Sequence, residues 1–165
     1  MAIPTFVGEG IPDAVNATND VQPTNPSNLA VDDILVGWMV SGDDDKVMTF
    51  PAGWTKEHES PDADPVGGKG SWGWRRVTNT AESDDVITFT QTGNIAQLYA
   101  GIFALRGCET SGNPFDQSLL ITADPNDLAE MAAITTTGIE RKLICIAGCE
   151  DNRAAKDTAT NYTMQ

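Results

Sequence analysis

The chain is expected to fold as an all-β protein, an antiparallel β-sandwich of jelly-roll-like form with at most one short helix. Short segments rich in Val, Ile, Thr, Phe and Trp recur about eight or nine times, which is the spacing of strands in a sandwich. Clusters of Gly, Pro, Asn and Asp separate them, and these residues favour turns. Helical 3.6-residue periodicity is almost absent. The length, 165 residues, suits one domain spanning 1–165, and 40% hydrophobic with 21% charged residues is the composition of a chain with a packed core.

Taken in order, Thr5–Val7 reads as a short first strand. Residues 8–30, and within them Ile11–Asn28, are rich in Pro, Asn, Thr and Asp, which predicts an extended arm or long loop. Asp32-Asp33 then leads into Ile34–Val40, ILVGWMV, whose apolarity on both faces marks a central strand. Gly42–Lys46 is a turn, Val47–Phe50 is extended, and Pro51-Ala52-Gly53-Trp54 fixes a bend that delivers a strand at Thr55–Glu59. Ser60–Gly70 has the turn-former density of an exposed loop, after which alternation puts Trp72, Trp74 and Arg76 on one side.

Val86–Thr90 and Gln97–Arg106 form two strands joined by a short turn. In the second, Leu98, Ala100, Ile102 and Ala104 share one side, and Tyr99, Gly101, Phe103 and Leu105 share the other. One apolar side can fill the core; the other needs cover from a flanking segment or another subunit. Ser111-Gly112-Asn113-Pro114 marks a turn. Strands are expected at Ser118–Thr122, Ile134–Thr137 and Lys142–Ala147, with a brief helix from Asp124-Pro125 through Met131.

Ten Lys and Arg against twenty-four Asp and Glu give a net charge of −14 and a pI near 4.1. Such a surface repels phosphate backbones and suits docking onto a basic patch of another protein, so no nucleic-acid partner is expected. The N-terminus lacks a basic start and an apolar h-region, and no apolar run reaches membrane-spanning length, so neither a secretory signal nor a membrane partner is expected. Cys108, Cys145 and Cys149 are odd in number and lack zinc spacing beside a single histidine, which points to free thiols.

No enzyme chemistry is expected. His58 lies in the polar run Lys56-Glu57-His58-Glu59, and no G-x-S-x-G elbow accompanies it. The acids gather at Asp32-Asp33, Asp43-Asp44-Asp45 and Asp84-Asp85 beside strand ends, where turn chemistry and solvation account for them. Calcium at Asp43–Asp45 is an alternative without the twelve-residue loop spacing, and no metal or cofactor is expected. Gly67-Gly68-Lys69-Gly70 lacks the phosphate-loop spacing. Trp72, Trp74 and Arg76 would form a sugar platform if exposed together; burial of the rings in packing is the competing reading.

The succession Asp32-Asp33-Ile34-Leu35-Val36, Pro51-Ala52-Gly53-Trp54-Thr55, Trp74-Arg75-Arg76-Val77, Phe103-Ala104-Leu105-Arg106-Gly107 and Asn113-Pro114-Phe115-Asp116 is similar to a β-sandwich module common in bacteriophage virion proteins. The likeness runs from about residue 5 to residue 150. It implies a non-enzymatic structural protein, made in the host cytoplasm and placed on the capsid surface of the virion. Capsid decoration, or cement, is the leading role, with the major capsid protein or another virion protein as partner and a homo-oligomer, a trimer by preference. Under that reading Tyr99, Phe103 and Leu105 make the subunit interface, and Ile11, Val15 and Val21 of the arm touch the capsid. The alternative is a glycan- or receptor-binding module of a tail or capsid fibre, using Trp72, Trp74 and Arg76. In the family pattern further strands follow the segment matching Lys142–Ala147, so the closing strands are expected to be absent here or supplied by a neighbour.

Overall fold

Two antiparallel sheets face one another in the computed structural model, which describes residues 3–16, 18–42, 46–60, 69–93 and 97–115. The larger sheet has the order β1 (Thr5–Glu9), β9 (Leu98–Arg106), β4 (Ile34–Ser41), β7 (Lys69–Arg76), β6 (Thr55–Glu59), and β2 (Asp13–Val15) pairs with β9 beyond the end of β1. The smaller sheet is β3 (Asp20–Val21), β8 (Phe89–Gln91), β5 (Met48–Thr49). The protein is an all-β antiparallel sandwich, with one turn of 3-10 helix at Thr80–Glu82 among the described residues. The strands expected at Ser118–Thr122, Ile134–Thr137 and Lys142–Ala147, the helix after Asp124, Cys145, Cys149 and Asp43–Asp45 lie outside the described residues.

The doubly apolar runs become the two central strands. β4 pairs with β7 on one side and β9 on the other, so its backbone groups are satisfied on both edges while both of its faces are covered. Leu35, Met39, Ala100, Ile102 and Ala104 fill the space between the sheets against Val21, Met48 and Phe89. Gly37 lies at the middle of this core. A Cβ there would come within 2.7 Å of Phe89 Cζ and of Trp54 Cζ3, so the missing side chain lets Phe50, Trp54 and Phe89 meet at 4.9–5.8 Å between ring centres. Burying Phe89 alone is worth about 2–3 kcal/mol. A buried hydrogen bond, Ser41 Oγ to Gln91 Oε1 at 2.8 Å, and another from Lys56 Nζ to the Met48 carbonyl at 3.0 Å tie one sheet to the other.

Three expectations are corrected. Residues 8–30 do not stand away from the domain as an arm: β2 pairs with β9, β3 pairs with β8, and Val21 is fully buried. The segment passes from the larger sheet to the smaller, and its amides are used on the way, with Gln22 donating to Asp13 Oδ2 and Asn25 to the Asp85 carbonyl. It packs so closely that a Cβ on Gly10 would lie 1.8 Å from the Thr24 carbonyl oxygen. Second, β8 and β9 follow one another in sequence yet lie in opposite sheets. Third, the strand expected at Val86–Thr90 is Phe89–Gln91, and Val86 makes only an isolated bridge to Thr24.

The sequence segments that carry the virion-module resemblance meet in space as structural ties. Arg106 clamps Asp33 through Nε to Oδ1 at 2.8 Å and Nη2 to Oδ2 at 2.7 Å, and it also donates to the Asn28 carbonyl at 2.9 Å. The guanidinium of Arg75 lies 5.9 Å from the Trp54 ring centre and pairs with Glu82, whose other oxygen caps the 3-10 turn through Thr78 and Asn79. Phe115 sits edge-on to Trp72 and Trp74 at 5.0 and 6.2 Å.

Candidate functional site

The outer face of the larger sheet, turned away from the smaller one, is the candidate site. Residues directly opposite in an antiparallel ladder share a face, so pairing fixes its rows. Phe6, Leu105, Ile34 and Arg76 form one row; Glu9, Phe103, Val36 and Trp74 the next; Gly101, Trp38, Trp72 and His58 the third. Tyr99 follows between Ala14 and Val40. Ile34, Val36 and Leu105 are buried here, with Trp72, Trp74, Phe103, Cys108 and Phe115 packed on them.

The face divides into a covered half and an open half. On the β7–β6 side, Trp74 Nε1 donates to Glu57 Oε1 at 2.7 Å, and Asn113 Nδ2 donates to the same oxygen at 2.9 Å. Asn113 Oδ1 accepts the Phe115 amide, which brings the Phe115 ring against both tryptophans. Arg76 reaches the Asp32 carbonyl at 3.5 Å, and its Nη2 is buried. Trp72 and Trp74 are thus half-buried packing residues whose shared surface Phe115 occupies, and this geometry does not favour an open sugar platform.

On the β1–β9 side the aromatic surface stays open. Phe6 is 57% exposed and Tyr99 39%, and the Phe6 ring lies 6.3 Å from that of Phe103, which is half-buried. Trp38 continues the series. It lies over Gly101, where a Cβ would be only 2.7 Å from its Cζ2, and so occupies the place between Phe103 and Tyr99 on the neighbouring strand. Leu105, by contrast, is 4% exposed, so of the three expected interface residues Tyr99 and Phe103 remain available and Leu105 belongs to the protein's own packing. Of the expected arm contacts, Ile11 is exposed, Val15 packs against the core and Val21 is inside it. Trp38 and Phe6 are absent from the sequence-based list of site residues; alternation from Ile34 puts Trp38 on the outer face, but only the ladder reveals Gly101 beneath it.

No known family model, curated protein or solved structure matches this chain. What the face can do therefore follows from its own chemistry. Among the described residues no group of three or more His, Cys, Asp and Glu side chains could hold a metal ion. Cys108 is a free, half-buried thiol whose pKa burial pushes up, which leaves it protonated and unreactive.

The titratable groups on the β6 side matter for stability. Burial holds His58 below its ordinary 6.5, with Glu59 pulling the other way, and its Nε2 is buried without a hydrogen-bond partner. Burial raises Glu59, but Lys56 and Lys69 outweigh it; burial also raises Glu82, but hydrogen bonds from Thr78 and Asn79 and the charge of Arg75 outweigh it. Both carboxyls therefore lie below their ordinary 4.5. In each case the unfolded chain binds more protons than the folded one just below the ordinary value, so stability falls there as pH drops. Melting temperature is expected to decline in two steps, the first below about pH 6.5 from His58 and the second below about pH 4.5 from Glu59 and Glu82. His58→Gln should abolish the first step alone; thermal melts from pH 8 to 3 that keep both steps in the variant would refute the assignment.

Proposed function

We propose that this protein is a non-enzymatic structural component of a bacteriophage virion that decorates and reinforces the capsid. The observation that carries the reading is the open aromatic half of the outer face, Phe6, Phe103, Trp38 and Tyr99. Phe6 and Tyr99 are exposed and Phe103 and Trp38 between them half-buried, and an aromatic row of this kind on an otherwise strongly acidic domain marks a surface that is covered in use. The resemblance to virion sandwich modules supplies the setting. Its shared segments serve here as ties within the fold, which fits a scaffold that presents a docking face rather than one built around a reaction centre.

Decoration works by repetition. Each copy adds a modest contact, and many copies spanning junctions between shell subunits raise the force that the shell withstands. The test is co-sedimentation of the purified protein with empty shells of the phage whose genome encodes it, with shell melting followed in parallel. The wild-type protein is expected to pellet with shells and raise their melting temperature. Tyr99→Ser combined with Phe6→Ser, both at exposed positions, should keep the fold by circular dichroism and weaken binding by at least about tenfold. Unchanged binding by the double variant, or no binding by the wild type, would overturn the proposal.

A further inference from the structure

We infer that the open strip recognises a basic protein surface, one that presents arginine or lysine side chains among aliphatic ones. The inference rests on the docking role proposed above and names the chemistry of the partner. Two observations carry it. The first is succession along one face: Phe6 and Phe103 meet ring to ring, and Trp38 lies over Gly101 in the row between Phe103 and Tyr99. The second is charge. The chain has no Lys, Arg or His before Lys46, against eight acids in the same stretch, and this stretch supplies β1 and β2, which flank β9 at the edge of the strip and carry Glu9 and Asp13. Glu9 is exposed and stands directly opposite Phe103, on the same face as the strip.

Aromatic faces and carboxylates together select cations that carry apolar stems. The ring quadrupole attracts a guanidinium or ammonium over its face, the neighbouring carboxylate accepts its N–H groups, and the methylene stem lies along the apolar strip. A second copy of this chain offers the wrong match, because it would bring Glu9 against the like charge of another strongly acidic surface. A neutral glycan can donate hydroxyl hydrogen bonds to a carboxylate but carries no charge to complement it.

The direct probe is a synthetic decapeptide of alternating arginine and leucine, titrated into the full-length protein by calorimetry, with an alternating glutamate–leucine peptide as control. Binding of the arginine peptide alone is expected. It should weaken at least about fivefold in Phe6→Ser/Tyr99→Ser, which leaves the net charge unchanged, and by a similar factor in Glu9→Lys, while Asp85→Lys, off the strip and equal in charge change, should have little effect. Equal weakening by Asp85→Lys would show attraction to net charge alone and overturn the inference; so would equal binding of both peptides, or self-association that buries the strip in sedimentation. With shells as the partner, binding through the strip should fall about tenfold between 50 and 300 mM salt. Shell binding that depends on the strip but not on salt overturns the basic partner and leaves decoration standing. Peptide binding through the strip without any shell binding overturns decoration and leaves the basic partner standing.

Discussion

Phe89→Ala is expected to destabilise the protein by about 3–5 kcal/mol, the cost of removing a large aromatic side chain from a packed interior. Phe89 is fully buried, belongs to the three-stranded smaller sheet, and touches both Phe50 and Trp54, so its removal empties the space between the sheets where that sheet has least area to compensate. Urea denaturation followed by tryptophan fluorescence measures the loss. Gly37→Ala approaches the same point from the other sheet and should cost about 1–3 kcal/mol, because its Cβ meets Phe89 and Trp54 at 2.7 Å. Phe89→Leu withdraws atoms from that contact, so Gly37→Ala/Phe89→Leu should be less destabilised than the two single changes added together. Strict additivity would show that Gly37 is not where the sheets' closeness is set.

Arg106→Ala should lower the melting temperature more than Asp33→Asn does, although the two residues form one ion pair. The asymmetry comes from burial: the Asp33 side chain is 1% exposed and that of Arg106 47%. Losing the arginine strands a buried carboxylate whose remaining donor is the Ala30 amide at 2.8 Å, and an uncompensated buried charge is costly. Losing the carboxylate leaves an arginine that water can solvate, at a cost of about 1–3 kcal/mol for the hydrogen bonds given up. Because Asp33 precedes β4 and Arg106 ends β9, the clamp fixes the register of the two central strands, and Arg106→Lys, with one ammonium for a two-pronged fork, should fall between the alanine variant and wild type. Equal melting temperatures for Arg106→Ala and Asp33→Asn would show that the buried carboxylate finds water instead.

Several elements were legible before any coordinates. Ile34–Val40 and Gln97–Arg106 announce themselves because strands covered on both faces need apolar residues at successive positions, and they occur as β4 and β9. Thr55–Glu59 was bounded correctly because Pro51-Ala52-Gly53 fixes the bend before it. The strand pairing within residues 8–30 is not legible in the sequence for an equally physical reason. The turn formers and polar residues of this segment describe how the backbone bends, while the pairing that holds it, with β9 and then β8, joins residues far apart in sequence.

The candidate site divides along the same line. Tyr99 and Phe103 follow from alternation within one strand, whereas the burial of Leu105, the covering of Trp72 and Trp74 by Phe115, and the seat of Trp38 over Gly101 depend on which strands adjoin. By itself the sequence determined that the protein is all-β, acidic, and apolar on more surface than one core consumes, since composition and two-residue alternation are properties of the chain alone. Only the tertiary structure decided which part of that surplus stays open, because exposure is set by register and by neighbours brought in from elsewhere in the chain.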